Sequence, residues 1–244
     1  MTVTDLSPRP GPPALVLVAH GSRDPRALAT VRALMERVRE LRPGLPVHLG
    51  HIELNEPLLP DTLAALGDAR AVLVPLLLSR GYHVKQDIPA MAAASAARTR
   101  VAEPLGPHPL LVDALHDRLR EAGWRPRPAS AVILAAAGSR DPDARVDTAR
   151  TADLLAARLG VPVLPAYASA ATPTVPEAIT ALRARGRRHI ALASYFTAPG
   201  RFATECAAHA PWIASAPLGV HDAMAELILH RYQRALGTPV TAAA

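Results

Sequence analysis

Three side chains combine the right chemistry with suggestive positions. His20 follows the apolar run "ALVLVA", Glu53 ends "VHLGHIE", and His83 lies just past "AVLVPLLL", within "SRGYHVKQD". Two imidazoles and one carboxylate form a borderline ligand set, suited to Fe²⁺, Co²⁺, Ni²⁺ or Zn²⁺ and poorly suited to Mg²⁺ or Ca²⁺. A neutral imidazole is also a proton acceptor near neutral pH. Ligand or base, each histidine fits either role by type alone. The remaining histidines read as satisfied core or surface groups: His48, His108, His116, His189, His209, His221 and His230. His51 shares a strand face with Glu53 by alternation, and packing explains it.

Converging these three groups requires neighbouring strands. Each apolar run is short and near-continuous, the pattern of a strand buried on both faces. Amphipathic segments separate them. Asp24 and Pro25 form an N-cap and first-turn pair. Ala27, Val31, Leu34, Val38 and Leu41 then recur at helical spacing. "NEPLLPDTLAAL", "DIPAMAAASAA" and residues 108–121 supply three more helices, and "RVAEPL" a fourth strand. This βαβαβαβα order implies a parallel sheet with helices on both faces. In the order 2-1-3-4, the first three strands are adjacent, and ligands bind beyond their carboxyl ends.

The pattern then restarts. "AGWRPRPAS" reads as a linker, and "AHGSRDP" at Ala19 returns as "AAGSRDP" at Ala136. The offset is 117 residues between His20 and Ala137, and 116 between Pro57 and Pro173. A repeat this long marks a duplicated domain. The second helix-rich stretch is expected to bury Val146, Ala149, Leu154, Leu155 and Leu159. The second copy carries Ala137, Ser169 and Phe202 where the first has His20, Glu53 and His83. It keeps the scaffold and lacks the polar groups, so it is expected to form the opposing wall of a cleft.

The signatures "LVLVAHGSRDP", "HIELNEP" and "VPLLLSRGYHVKQDIP" make the chain resemble the class II chelatases, specifically the sirohydrochlorin chelatases of the CbiX and SirB type. The likeness spans nearly the whole chain. It implies an α/β fold of two tandem, pseudo-symmetric ferrochelatase-like (flavodoxin-like) domains, each a four-stranded parallel sheet flanked by helices. The expected division is a tail at 1–13, a catalytic domain at 14–122, a linker at 123–130, a second domain at 131–236 and a tail at 237–244. The family inserts Fe²⁺ or Co²⁺ into sirohydrochlorin, for sirohaem or cobalamin. By resemblance, His20 and His83 are its active-site histidines and Glu53 its strand-two acid. The metal would be a substrate, with no permanently bound cofactor. A non-catalytic metal or tetrapyrrole carrier on the same scaffold is the alternative.

Sirohydrochlorin is a polycarboxylate. Ser22, Arg23, Arg80, Lys85, Arg140 and Arg201 lie in the loops near these motifs, and the helix starts after Ser22 and Ser139 offer backbone N–H groups to anions. Phe202 is expected to pack near the flat ligand. The net charge of +6 favours acidic ligands, yet no basic run interleaves with aromatics, so nucleic acid is not an expected partner. A single cysteine, Cys206, excludes an intrachain disulfide and a cysteine-based metal site; it reads as a small helical residue. The start lacks an apolar signal core and no apolar run is long enough to span a bilayer, so a cytoplasmic, non-membrane protein is expected. A monomer with internal pseudo-twofold symmetry is expected, a homodimer being the other arrangement.

Overall fold

The structure is a computed structural model that describes residues 11–237. The expected tails fall largely outside the described residues. Two parallel four-stranded sheets form, one from each repeat. The first orders its strands β2-β1-β3-β4 and the second β6-β5-β7-β8, each the expected 2-1-3-4 arrangement. In the first repeat these are β1 (Ala14–Ala19), β2 (Val47–His51), β3 (Arg70–Pro75) and β4 (Arg98–Val101). In the second they are β5 (Ser130–Ala136), β6 (Val163–Tyr167), β7 (His189–Tyr195) and β8 (Ile213–Ala214). β2 ends two residues before Glu53, which lies in the loop beyond.

β1 is buried along its whole length because both sheet faces are covered. Leu15 and Leu17 face a central layer of helices, α1 (Pro25–Leu41) and α4 (Pro109–Glu121). Val16 and Val18 face α2 (Leu59–Leu66) and α3 (Ile88–Ala93) on the outside. The second repeat builds the same layers. α5 (Pro142–Leu159) and α8 (Asp222–Gly237) face inward; α6 (Val175–Ala184) and α7 (Arg201–Ala208) face outward.

The four inner helices make the two repeats one body. The largest hydrophobic core contains Leu17 and Leu34 from the first repeat together with Leu134, Leu155 and Leu227 from the second. The stretch read as a linker is anchored too, since Trp124 is buried within that core. The two repeats thus meet through a shared core. Ser130, placed in the linker, begins β5.

Reciprocal contacts define the pseudo-twofold axis. By strand register, Leu76 matches Tyr195 and Leu78 matches Thr197. The Thr197 hydroxyl donates to the Leu76 carbonyl at 3.0 Å, and the Tyr195 hydroxyl to the Leu78 carbonyl at 3.0 Å. Arg118 and Arg231 match likewise. Arg118 donates to the Leu218 carbonyl, and Arg231 to the matching Leu105 carbonyl. Residue i meeting j′ while j meets i′ is the signature of an isologous interface, here closed within one chain.

One periodicity expectation fails. Val146, Ala149 and Leu154 of α5 are exposed, while Ala144, Asp147, Thr148, Thr151, Ala152, Leu155 and Leu159 are buried. The inward stripe keeps helical spacing but carries polar residues, because it meets loops of the first repeat as well as apolar core. The Thr151 hydroxyl, for example, satisfies itself on the Asp147 carbonyl at 3.0 Å.

Candidate metal-insertion site in the cleft between the repeats

The loop after β1 is held open by geometry only glycine permits. Gly21 has φ of +104°, and a Cβ there would lie 1.8 Å from the Glu53 carbonyl oxygen. The Glu53 N–H donates to the His20 carbonyl at 3.0 Å, which brings the two side chains together. The second repeat preserves this frame: Gly138 has φ of +92°, and its Cβ would lie 1.8 Å from the Ser169 carbonyl oxygen. Ser22 braces the same loop. Its N–H donates to Asn55 Oδ1 at 2.7 Å and its Oγ accepts from the Asp24 N–H at 3.1 Å.

His83 arrives from β3 on a single π-helical turn, His83–Asp87. The turn stacks His83 directly over Asp87, whose carboxylate Oδ2 lies 2.6 Å from Nδ1. A carboxylate in this place fixes the tautomer with the proton on Nδ1 and leaves Nε2 as the free lone pair. Asp87 is legible in the sequence only through the four-residue spacing in "HVKQD", and is not among the residues singled out there.

These elements bring the two imidazoles edge to face, ring centroids 4.6 Å apart. His20 Nδ1 lies 3.6 Å from Glu53 Oε1. All three groups line one cavity of about 1300 Å³ at the carboxyl ends of the strands, between the repeats. The convergence expected from strand order is present. A closed three-ligand cage is not: among the described residues, no group of three or more His, Cys, Asp or Glu side chains is arranged to hold a metal ion. Glu53 is exposed and approaches His20, and Asp87 occupies one nitrogen of His83.

The far wall carries Ala137, Tyr167 and Phe202, with Arg201 stacked 4.7 Å over the Phe202 ring. Of the basic residues expected here, Arg23 and Arg201 line the cavity, and Arg26 and Arg145 join them. Arg26 is engaged by Asp24, while Arg23 and Arg145 have no carboxylate within ion-pair distance among the described residues. Arg80, Lys85 and Arg140 do not line it. Arg80 pairs with the buried Asp147, and Lys85 with Asp141 and Asp143, all across the repeat boundary. The helix starts are also less open to anions than expected. Asp24 and Asp141 cap them, accepting from the Arg26 and Asp143 N–H groups at 2.9 Å each.

His51 forms part of the cavity floor yet is 1% exposed, its Nδ1 held by the Pro57 carbonyl at 3.1 Å. Burial pushes its pKa below the usual histidine value, as expected of a packed neutral ring. His108 and His221 cap α4 and α8 by accepting from N–H groups at 3.2 Å. Cys206 is buried in α7, its thiol pushed up to about 11 by desolvation.

Two fused flavodoxin-like halves, sharing a core and enclosing one imidazole-bearing cleft, define the chelatase architecture. The chain belongs to the CbiX family, which it matches over residues 14–122 and 131–235. It is 31% identical over 179 residues to the sirohydrochlorin ferrochelatase of Bacillus subtilis strain 168, an alignment covering 69% of this chain and 68% of that protein. It is 31% identical over 137 residues to the sirohydrochlorin cobaltochelatase of Methanopyrus kandleri, covering 45% of this chain and 96% of that one. The solved structure of SirB from Bacillus subtilis with Fe³⁺ matches with a TM-score of 0.74 at 26% identity, covering 92% of this chain and 95% of that one.

Proposed function

We propose that this chain is a chelatase that inserts Fe²⁺ or Co²⁺ into sirohydrochlorin. The observation that carries the reading is the pair His20 and His83, 4.6 Å apart in a cleft of about 1300 Å³ on a CbiX-family scaffold. Insertion places a dication among four pyrrole-type nitrogens and releases two N–H protons. The free Nε2 of His83, set by Asp87, is a ligand or proton acceptor aimed at that exchange. His20 is the second such group, with Glu53 beside it to offset dication charge and carry protons outward. The set holds the metal incompletely, so the macrocycle nitrogens complete its coordination. Arg23, Arg145 and Arg201 pair with peripheral carboxylates, Ser22 shapes the loop they approach, and Phe202 packs on the macrocycle face.

The metal is a substrate and no resident cofactor takes part. The chain works as a monomer, because the internal pseudo-twofold already supplies both walls. It works in the cytoplasm, and no helix among the described residues is long and apolar enough to cross a membrane. The test is loss of free-base sirohydrochlorin absorbance with limiting enzyme and excess Fe²⁺ or Co²⁺. Many turnovers per chain, above spontaneous metallation, are expected. A single stoichiometric event would instead mark a carrier.

A further inference from the structure

The cleft is asymmetric in a second respect, apart from where its histidines lie. Asp147 sits on the inward face of α5, in the repeat without those histidines, and is 2% exposed. Its carboxylate takes four donations from one residue of the other repeat. The Arg80 N–H lies 2.8 Å from Oδ2, Nε 3.1 and 3.0 Å from the two oxygens, and Nη2 2.7 Å from Oδ1. Arg80 stands three residues before His83. Two residues after His83, Lys85 Nζ donates to Asp141 and Asp143 at 2.8 Å each, again on α5 or its cap. The chain is therefore fastened to the opposite repeat both before His83 and within its turn.

The pseudo-twofold mates of these residues cannot form the same fastening. Register places Pro199 opposite Arg80, Thr204 opposite Lys85, Thr30 opposite Asp147 and Arg26 opposite Asp143. The Leu76–Thr197 and Leu78–Tyr195 hydrogen bonds are shared by both sides of the axis, whereas the carboxylate fastening exists only beside the imidazole. A buried carboxylate incurs a desolvation cost unless fully paired. Burying one on the side of His83 alone ties its use to that turn.

We propose that Asp147 is a positioning residue for metal insertion: through Arg80 it holds the His83 turn at its working distance from His20. This rests on the chelatase reading for its kinetic arm alone. Asp87 sets which nitrogen of His83 is free; Asp147 sets where that nitrogen sits. Supporting partners of a metal-directed histidine typically carry about 10–100-fold in affinity or activity, so their loss shows in the chemical step rather than in macrocycle binding.

The test compares Asp147→Asn, Asp147→Glu and the double variant Arg80→Met/Asp147→Leu, which leaves neither partner orphaned. Arg158→Ala, which removes a separate ion pair to Asp113 between the repeats, is the control. Three readouts are taken: insertion kinetics, Co²⁺ binding without tetrapyrrole followed by its visible absorption, and amide hydrogen exchange. Expected in Asp147→Asn and the double variant are a fall in kcat of about 10–100-fold with sirohydrochlorin KM little changed, a weaker or altered Co²⁺ spectrum, and faster exchange confined to residues 79–88. Asp147→Glu should recover part of kcat, and Arg158→Ala should match the wild type. Unchanged kcat and Co²⁺ spectrum in a folded double variant would overturn the proposal. So would exchange that rises equally throughout β5 and α5, which is the signature of a purely structural pair. If Asp147→Leu prevents folding, Asp147→Asn and its rescue by Asp147→Glu decide the matter. Were wild-type insertion itself absent, the chelatase reading would fail, while Co²⁺ binding and exchange would still judge the positioning role.

Discussion

At the scale of the residue, the proposed insertion chemistry turns on which ring nitrogen faces the cleft. His83 is informative because its own turn supplies the carboxylate that orients it. Asp87→Asn keeps the shape but offers an amide that can donate as well as accept, so the tautomer is no longer enforced. We expect insertion to fall by about 10–100-fold with the fold intact; steady-state kinetics beside circular dichroism checks this, and unchanged kcat would remove Asp87 from the mechanism. The convergence of His20, Glu53 and His83 was legible in the sequence because each ends or follows a strand, and strand ends are where parallel sheets present chemistry. Arg80 and Lys85 were legible as basic residues of the right loops, but their partners lie 67 and 56–58 residues away on a helix of the other repeat. No local pattern encodes that pairing.

At the scale of the element, the repeat conserves what backbone geometry demands and varies the rest. Gly21 and Gly138 both admit a carbonyl where any side chain would stand, although only one loop carries a histidine. The strand runs, helix starts and sheet order were all readable from apolar run length and capping residues. The inward face of α5 was not, because its buried positions are Asp and Thr, and the apolar Val146 and Leu154 pointed the periodicity argument outward. A glycine comparison tests the loop account. Gly138→Ala meets the Ser169 carbonyl and a left-handed φ, and should cost about 2–4 kcal/mol, roughly 5–15 °C in Tm. Gly160→Ala, at the C-cap of α5 with φ of +67° and open space around it, should cost only about 1 kcal/mol. Equal Tm losses in thermal denaturation would show that the close approach to Ser169 is not what fixes this glycine.

At the scale of the whole molecule, the two repeats share their largest core, so stability belongs to the chain and not to either half. Its pH dependence follows from buried and half-buried imidazoles. His48, His51 and His108 all have pKa values lowered from 6.5, chiefly by desolvation. The unfolded chain then binds protons at a higher pH than the folded one, and stability rises with pH in that window. The contribution is full above about 6.5 and is lost as pH falls through the lowered folded values. Tm should therefore be level above about pH 7 and decline toward about pH 5. Asp24, Asp141 and Asp222, each lowered from 3.8 first by a hydrogen bond from a basic side chain, add a separate loss only below that value. His51→Gln should flatten the upper decline in a Tm–pH series; an unaltered slope would assign the decline elsewhere.

The same scale holds the central claim, that one cleft contains one reactive centre, supplied by the first repeat and walled by the second. Initial rates of sirohydrochlorin metallation measure it most directly, compared across His20→Ala, His83→Ala, Ala137→Val and Ser169→Ala. Removing either imidazole should lower the rate by about 10²–10⁴-fold in protein that remains folded. The changes at the matching positions of the second repeat should leave the rate within a few-fold of the wild type. Near-normal rates for both histidine variants after subtraction of spontaneous metallation would contradict the account, as would losses of equal size from the two repeats.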